Sequence, residues 1–179
     1  MLITSVKPII TRDQAVTKFR WGMRRLKHGR LRFAVEFYIP YRFFRTTWDD
    51  GRSKSVAFLA ADAVTGKLDL IEFNQLPADG EMVNVDTRMI AEERINDEEA
   101  RNLVREKILG LTYKKNGFFK LSRLNVVTEL AASLHLPYWV GIYERDGLAQ
   151  IEIVNALQGR LEGAKLREIV TEWFQPRQS

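Results

Sequence analysis

The sequence predicts an α+β protein built from two repeated units, each a helix followed by antiparallel strands, packed about a pseudo-twofold axis and completed by a C-terminal helix. Three observations predict this class. Apolar residues recur at helical spacing, other segments alternate apolar and polar residues, and a shift of 97 positions places Pro40 on Pro137. The predicted units are 1–75 and 96–179, with an acidic linker at 76–95.

Each unit is predicted to begin with a helix. Thr11 with Gln14, and Asn96 with Glu99, have the spacing of a capping box, in which two side chains satisfy backbone N–H groups of the first turn. The apolar stripe of the first helix consists of Val16, Phe19, Met23 and Leu26. That of the second helix consists of Ala100, Leu103, Val104, Ile108 and Leu111.

A long strand follows each helix. The segments FAVEFYIPYRFF and LAASLHLPYWVG alternate around a shared Pro-Tyr pair. Because proline has no N–H for the ladder, Pro40 and Pro137 are predicted to mark a bulge, an edge or a bend. The second unit has an insertion around TYKKNGFFKLSR. The sequence leaves 112–128 open between helix and strand, with strand preferred for the latter half of LNVVTELAASL.

Each long strand is predicted to return as a hairpin closed by Asp-Gly, in TTWDDGRSKS and in ERDG. The returning strands end in DAVTG at 62–66 and NALQG at 155–159, and both pentapeptides predict a tight turn. The following segment EGAKLREIVTEWF predicts the C-terminal helix, with Leu166, Ile169 and Val170 facing inward.

The order of helix, antiparallel strands and a closing DAVTGK turn resembles the PepSY domain, whose units often end a strand in an Asp-Ala-x-Thr-Gly type turn. The second copy departs from this pattern, with NALQGR at the matching place. The resemblance implies tandem PepSY-like units that act as a noncatalytic binding or regulatory module. Members of that family often lie outside the cytoplasm, and some resemble protease-inhibitory modules.

Composition excludes several chemistries. The chain has no cysteine, which excludes a disulfide, a thiolate metal ligand and a thiol nucleophile. It has no phosphate-binding glycine loop and no G-x-S-x-G elbow, and we predict no cofactor and no metal site, although a carboxylate-bound magnesium or calcium ion stays open. The N-terminus lacks an apolar stretch of signal-peptide length, and no segment is apolar enough to span a bilayer. A cytoplasmic protein without membrane association is expected.

Charge is distributed unevenly along the chain. Residues 1–54 carry 13 Lys/Arg and 4 Asp/Glu, whereas 76–99 is strongly acidic. One interpretation is an anionic partner. The slightly preferred interpretation is that the basic and acidic segments face each other within the fold or across a homodimer.

The first helix carries the candidate binding residues. The cationic arc of its helical wheel consists of Lys18, Arg20, Arg24, Arg25, Lys27 and His28, with Trp21 in the middle. Arginines beside an indole suit phosphate pairing combined with base stacking. The predicted nucleic-acid- or anion-binding residues are therefore Arg20, Trp21, Arg24, Arg25 and His28. In the preferred alternative, Trp21 packs on the other unit or on a second subunit, while the arginines pair with 76–99.

Three aromatic residues beside the Pro-Tyr pairs, Tyr41, Tyr138 and Trp139, are candidates for a ligand groove, although core packing is preferred for them. Asp62 is the most prominent carboxylate. Because Asn155 aligns with it, a turn-forming role is preferred over catalysis, and no catalytic residue is predicted.

These observations leave three functions open. The favoured one is a noncatalytic interaction or regulatory module that binds a protein partner. The alternative is binding of nucleic acid or another polyanion through the basic first helix. The second alternative is a hydrolase with a dispersed carboxylate site.

Overall fold

The computed structural model describes residues 1–21, 28–49, 53–116 and 125–175, without the side chains of 111–116. Within these ranges the protein is α+β. The strands are β1 (Leu2–Val6), β2 (Arg30–Asp49), β3 (Lys54–Asp62), β4 (Ile71–Phe73), β5 (Met82–Asp86), β6 (Asn125–Arg145) and β7 (Leu148–Asn155). The helices are α1 (Arg12–Arg20), α2 (Asp97–Asn116) and α3 (Ala164–Phe174), together with a 3-10 turn at Asp79–Glu81.

The strands form one sheet in the order β4-β3-β2-β6-β1-β5, and β7 pairs with β6. The β2–β3, β3–β4, β6–β7 and β1–β5 pairs are antiparallel, whereas β1 meets β6 in parallel at Ser5 and His135. The predicted α+β class and the predicted C-terminal helix, now α3, are confirmed.

The chain forms two compact units, and neither is a continuous stretch of sequence. Unit 1 contains 1–39, 79–92 and 135–179, and unit 2 contains 40–78 and 93–134. These units group residues by contact, whereas the predicted boundaries follow the order of the chain. The proposed duplication of 1–75 and 96–179 stays a prediction.

The core of unit 1 lies between α1 and the β6–β7 hairpin. Its buried residues are Ala15, Phe19, Ala34, Trp139, Tyr143, Val154 and Ala156. The capping box predicted for α1 is present, since Thr11 and Gln14 each bond to the other's backbone N–H. α3 buries Leu166, Ile169 and Val170, and Trp173 packs edge-on against Phe37 at 5.3 Å between ring centroids.

The core of unit 2 lies between α2 and β2–β3. Its buried residues are Phe44, Ala57, Leu59, Ala61, Ala100, Val104 and Ile108. The predicted cap of α2 is also present. The Asn96 side chain accepts from the backbone N–H groups of Glu98 and Glu99, and the Glu99 carboxylate accepts from the backbone N–H of Asn96.

Both prolines lie where a strand changes partner. Before Pro40, the backbone of Tyr38 bonds to Met89 and Ala91; from Tyr41 onward, β2 pairs with β3. Before Pro137, His135 meets Ser5 of β1; from Tyr138 onward, β6 pairs with β7. A residue without an N–H fits a point at which one ladder ends and another begins.

The first helix is shorter than predicted. α1 ends at Arg20, where Trp21 has an extended backbone (φ −75°, ψ 141°), and the Trp21 N–H bonds to the Lys18 carbonyl oxygen at 3.3 Å. The predicted helix is therefore not continuous through Trp21. An aromatic residue followed by glycine has poor helix propensity, and that local preference ends the helix there. Residues 22–27, including Arg24 and Arg25, lie outside the described ranges.

Two further predictions are settled. The preferred strand in the latter half of LNVVTELAASL is confirmed, since helix α2 extends to Asn116 and strand β6 begins at Asn125. The Asp-Gly hairpin of ERDG is confirmed as well, because Asp146 (φ 52°) and Gly147 (φ 77°) join Arg145 to Leu148 with the positive φ angles of such a turn. The other predicted Asp-Gly pair, at 50–51, lies outside the described ranges.

Candidate functional site

A cleft of about 540 Å³ in unit 1 is the strongest candidate site. It lies between the end of α1, the start of β2 and strand β6. The described residues that line it are Phe19, Arg20, Gly29, Arg30, Leu31 and Tyr143. Volumes of this size are common for sites that hold small molecules or cofactors.

The floor of the cleft is aromatic and fully packed. Phe19 and Tyr143 are buried, and their rings meet edge to face with 6.3 Å between centroids. The Tyr143 hydroxyl donates to the Phe19 carbonyl oxygen at 2.7 Å, so one side chain of β6 also satisfies a carbonyl in the last turn of α1. Gly141 lies under the Phe19 ring, where an added Cβ would come within 3.0 Å of it.

A glycine positions Arg30, which together with Arg20 forms the cationic rim of the cleft. Gly29 has φ +86°, and a Cβ there would lie 2.3 Å from the Glu144 carbonyl oxygen. Only glycine fits this backbone conformation and this close approach. The chain can therefore turn tightly into β2, which brings the next residue, Arg30, to the cleft.

His28 lies inside the protein rather than on its surface. Its Nδ1 is 2.6 Å from Gln150 Oε1, and its Nε2 is 3.2 Å from Glu152 Oε1. The ring also packs against Tyr143 at 5.6 Å between centroids. With both ring nitrogens engaged by β7, His28 supports the cleft from behind and offers no nitrogen to an external anion.

Sequence analysis missed Gln150 and Glu152. A signal was present, because two polar residues at alternate positions of LAQIEIVN lie on one face of an otherwise apolar strand. Glu152 is buried, and its second carboxylate oxygen lies 3.4 Å from the Tyr143 hydroxyl. A buried carboxylate needs such partners.

Arg20 and Trp21 lie at the exposed end of α1. The Trp21 side chain is 78 % exposed, whereas tryptophan is highly buried on average. The alternative in which Trp21 packs on the other unit is therefore wrong, while packing on a second subunit stays a prediction. Arg20 and Arg30 are both exposed, and neither forms an ion pair with any residue in the described ranges.

The structure places the three groove candidates in the core. Tyr41, Tyr138 and Trp139 are all buried. The Trp139 indole N–H donates to the Ile10 carbonyl oxygen at 2.7 Å, which ties the segment before α1 to β6. Core packing, the preferred interpretation for these aromatic residues, agrees with this placement.

Asp62 is surrounded by donors from its own turn. Its Oδ1 accepts from the backbone N–H groups of Val64, Thr65 and Gly66 and from the Thr65 hydroxyl, at 2.7 to 3.2 Å. Its Oδ2 accepts from the Leu68 N–H at 3.0 Å. With 1 % of the residue exposed, this carboxylate organises the turn and is closed to a substrate.

Charges of the basic and acidic segments pair in unit 2. The Arg42 guanidinium binds Glu93 through two nitrogens, at 3.2 and 2.7 Å, and Asp97 through Nε at 2.6 Å. The hydrogen bonds to Glu93 raise the pKa of Arg42, burial opposes them, and Asp97 adds to the increase. In unit 1 the N-terminal ammonium pairs with Asp86 at 2.9 Å. Part of the charge asymmetry is therefore neutralised within the fold.

Other kinds of site can be described briefly. In the residues that the structure describes, no three His, Asp or Glu side chains are grouped as a metal site would require. No described helix combines the length and apolar character needed to cross a membrane.

Comparison of the chain with protein-family models, with curated proteins and with solved structures gives no match. The PepSY-like resemblance therefore stays a prediction.

Proposed function

We propose that the protein is a noncatalytic binding module that takes a polyanion, with single-stranded nucleic acid as the favoured ligand, at the end of α1. The observation that carries this proposal is the Trp21 indole, 78 % exposed beside Arg20. Burial of an indole is favourable, so an indole left in water next to Arg20, which lines the cleft, is available to a partner.

The chemistry of the rim suits a phosphate backbone with bases. Arg20 and Arg30 both line the cleft, and a guanidinium pairs well with phosphate oxygens. Bases stack on an exposed aromatic ring without regard to sequence, and such stacking contributes about 1–3 kcal/mol per base. This combination favours a single strand over a duplex, in which the bases are already stacked on one another.

A noncatalytic role is supported by the internal use of the prominent titratable side chains. Asp62 accepts five hydrogen bonds from its own turn, and His28 and Glu152 bond to each other inside unit 1. Each group is committed to the fold. This commitment weighs against the hydrolase alternative, which requires carboxylates that can reach a substrate.

We further propose that the two halves of the chain are diverged copies of one helix-and-hairpin unit about a pseudo-twofold axis. Matched local contacts support this. The N–H groups of Ile9 and Ile10 bond to the Ala156 carbonyl oxygen, and those of Arg94 and Ile95 bond to the Ala63 carbonyl oxygen. Exchanging DAVTG at 62–66 with NALQG at 155–159 should then leave a folded protein, as checked by circular dichroism. An unfolded exchange variant would contradict the duplication.

The binding proposal is tested by fluorescence anisotropy with a labelled single-stranded oligonucleotide of ~15 residues, a length that covers the usual site sizes. Trp21→Ala is expected to weaken binding about tenfold, because one stacked base is lost. Arg20→Ala should weaken binding and lower the slope of log affinity against log salt by about one, because one phosphate contact is lost.

Arg88→Ala is the matched control. Arg88 is exposed in the acidic segment, and its removal changes net charge as Arg20→Ala does. If Arg20→Ala and Arg88→Ala weaken oligonucleotide binding equally, the binding is nonspecific electrostatic attraction and not recognition at the end of α1. No binding by the unmodified protein at low salt would overturn the polyanion proposal, and the protein-partner hypothesis would then be pursued by size-exclusion chromatography, which also tests for a homodimer.

A further inference from the structure

The cleft at the end of α1 offers more than a charged surface. Phosphate pairing and base stacking need only exposed Arg and Trp side chains, whereas this site is a concave cleft of about 540 Å³ that is open to solvent on one side. We propose that the cleft is a pocket for one nucleotide, which holds a nucleoside monophosphate group of the strand while a neighbouring base stacks on Trp21. This inference rests on the proposed function.

The lining separates an apolar part from a cationic part. The apolar part consists of Leu31, which is half-buried against the core of unit 1, above the buried floor of Phe19 and Tyr143. Arg20 and Arg30 supply the charge. A nucleotide has the same division, with a flat aromatic base at one end and a phosphate at the other. Inorganic phosphate alone would leave the apolar part of the pocket unfilled.

The pocket is held in shape by contacts behind it. Tyr143 is held by its hydroxyl bond to the Phe19 carbonyl oxygen at 2.7 Å, and the His28 ring packs against it at a tilt of 46°. His28 is held in turn by Gln150 and Glu152 of β7. A pocket whose wall is already ordered loses little conformational entropy when a ligand enters, which favours measurable affinity for a ligand as small as a mononucleotide.

These contacts also assign roles. His28 and Glu152 are positioning residues, since they act through Tyr143 and do not reach the cleft lining. Arg30 is the expected phosphate contact, because Gly29 fixes its place at the rim. Leu31 is the residue whose enlargement would fill the pocket without removing a charge.

The test uses the full chain with adenosine monophosphate, ribose 5-phosphate and inorganic phosphate as probes, measured by calorimetry and by competition against the labelled oligonucleotide. The nucleotide is expected to bind at least tenfold more tightly than ribose 5-phosphate and to compete with the oligonucleotide. Leu31→Trp should weaken nucleotide binding at least tenfold, and Arg30→Ala should do so by about tenfold, while Arg88→Ala leaves it unchanged.

Amide chemical shifts provide a second measurement that does not depend on a folded Leu31→Trp variant. The Gly29 and Leu31 amides should shift when adenosine monophosphate is added, while that of Gly66, in a turn of unit 2, should not. Shifts confined to other residues would place the nucleotide elsewhere and overturn the pocket.

The outcomes separate the two proposals. If the oligonucleotide binds but the mononucleotide neither binds nor competes, the pocket is overturned and the proposed function stands. If neither the oligonucleotide nor the mononucleotide binds, both the pocket and the proposed function are overturned. If the nucleotide binds with unchanged affinity to Arg30→Ala and Leu31→Trp, the nucleotide site is not this cleft. Equal affinity for inorganic phosphate and the nucleotide would reduce the site to a simple anion site and would also overturn the pocket.

Discussion

The turns at 62–66 and 155–159 have similar backbones but different chemistry. In both turns the alanine in second position donates its backbone N–H to the long strand: Ala63 to the Pro40 carbonyl oxygen, and Ala156 to the Pro137 carbonyl oxygen. The first turn is organised by a carboxylate that accepts five hydrogen bonds from its own segment. The second is organised by an amide.

The amide makes the second turn depend on a residue outside it. Asn155 Oδ1 accepts from the N–H groups of Leu157 and Gln158, and Asn155 Nδ2 donates to Glu162 Oε1 at 3.1 Å. A carboxylate can only accept, whereas an amide accepts and donates. The Asp62 side chain therefore bonds only within its own turn, whereas the Asn155 side chain also bonds to the segment that leads into α3. Four predictions test this difference, from the largest expected effect to the smallest.

Asp62→Ala should lower the free energy of unfolding by about 4 kcal/mol, because several buried backbone N–H groups lose their only side-chain acceptor in the turn. Asp62→Asn should cost about half as much, since Oδ1 can still accept while the new NH₂ group faces the Leu68 N–H. Urea denaturation measures both. An Asp62→Ala cost below that of Asn155→Ala would reverse the comparison.

Gly66→Ala should lower the free energy of unfolding by about 3 kcal/mol, and Gly159→Ala by about half of that. Both glycines have positive φ, at 65° and 68°, so both substitutions strain the backbone. The added Cβ would lie 2.4 Å from Leu103 Cδ1 in the first case but 3.0 Å from Ile10 Cδ1 in the second. Equal melting temperatures for the two variants would show that backbone strain alone decides the cost.

Asn155→Ala should lower the free energy of unfolding by about 2 kcal/mol. Two backbone N–H groups lose their acceptor, Asn155 Oδ1, and the bond from Asn155 Nδ2 to Glu162 is lost as well. Asn155→Asp is more informative. It keeps the acceptor but sets a second carboxylate against Glu162, so the variant should be less stable at pH 7 than Asn155→Asp combined with Glu162→Gln. If adding Glu162→Gln does not restore stability to Asn155→Asp, the turn and Glu162 are not coupled.

Glu162→Gln alone should have the smallest effect, about 0.5–1 kcal/mol, because one amide-to-carboxylate bond becomes an amide-to-amide bond. Its effect should vanish in the Asn155→Ala background. Thermal denaturation of the two single variants and the double variant gives this coupling directly. Additive costs would mean that Glu162 acts on stability through Arg160, which lies 3.5 Å away, rather than through the turn.

Local patterns predicted the elements well. Alternation identified the long strands β2 and β6, capping signals identified the starts of α1 and α2, and Asp-Gly identified one hairpin. Each of these features is decided by residues a few positions apart. Where two local preferences competed, prediction failed: the apolar stripe favoured a longer first helix, and the Trp-Gly pair ended it at Arg20.

The candidate site was harder to predict because it is assembled from distant segments. His28 meets Gln150 across 122 positions, and Tyr143 bonds to the Phe19 carbonyl oxygen across 124. Sequence spacing grouped Arg20 and Trp21 in the cationic arc of the first helix, because they are adjacent in the chain. It could not show that His28 turns inward, because its partners come from a strand formed near the other end of the sequence.

The interleaved composition of the units has a consequence for biosynthesis. Residues of unit 2 have all been made once the ribosome reaches position 134, whereas unit 1 needs 135–179 as well as its N-terminal residues. During that interval Ala15 and Phe19 have no β6–β7 hairpin to cover them. Helix α1 is thus made well before the hairpin that covers it, and until then the nascent chain presents an apolar face that a chaperone can shield.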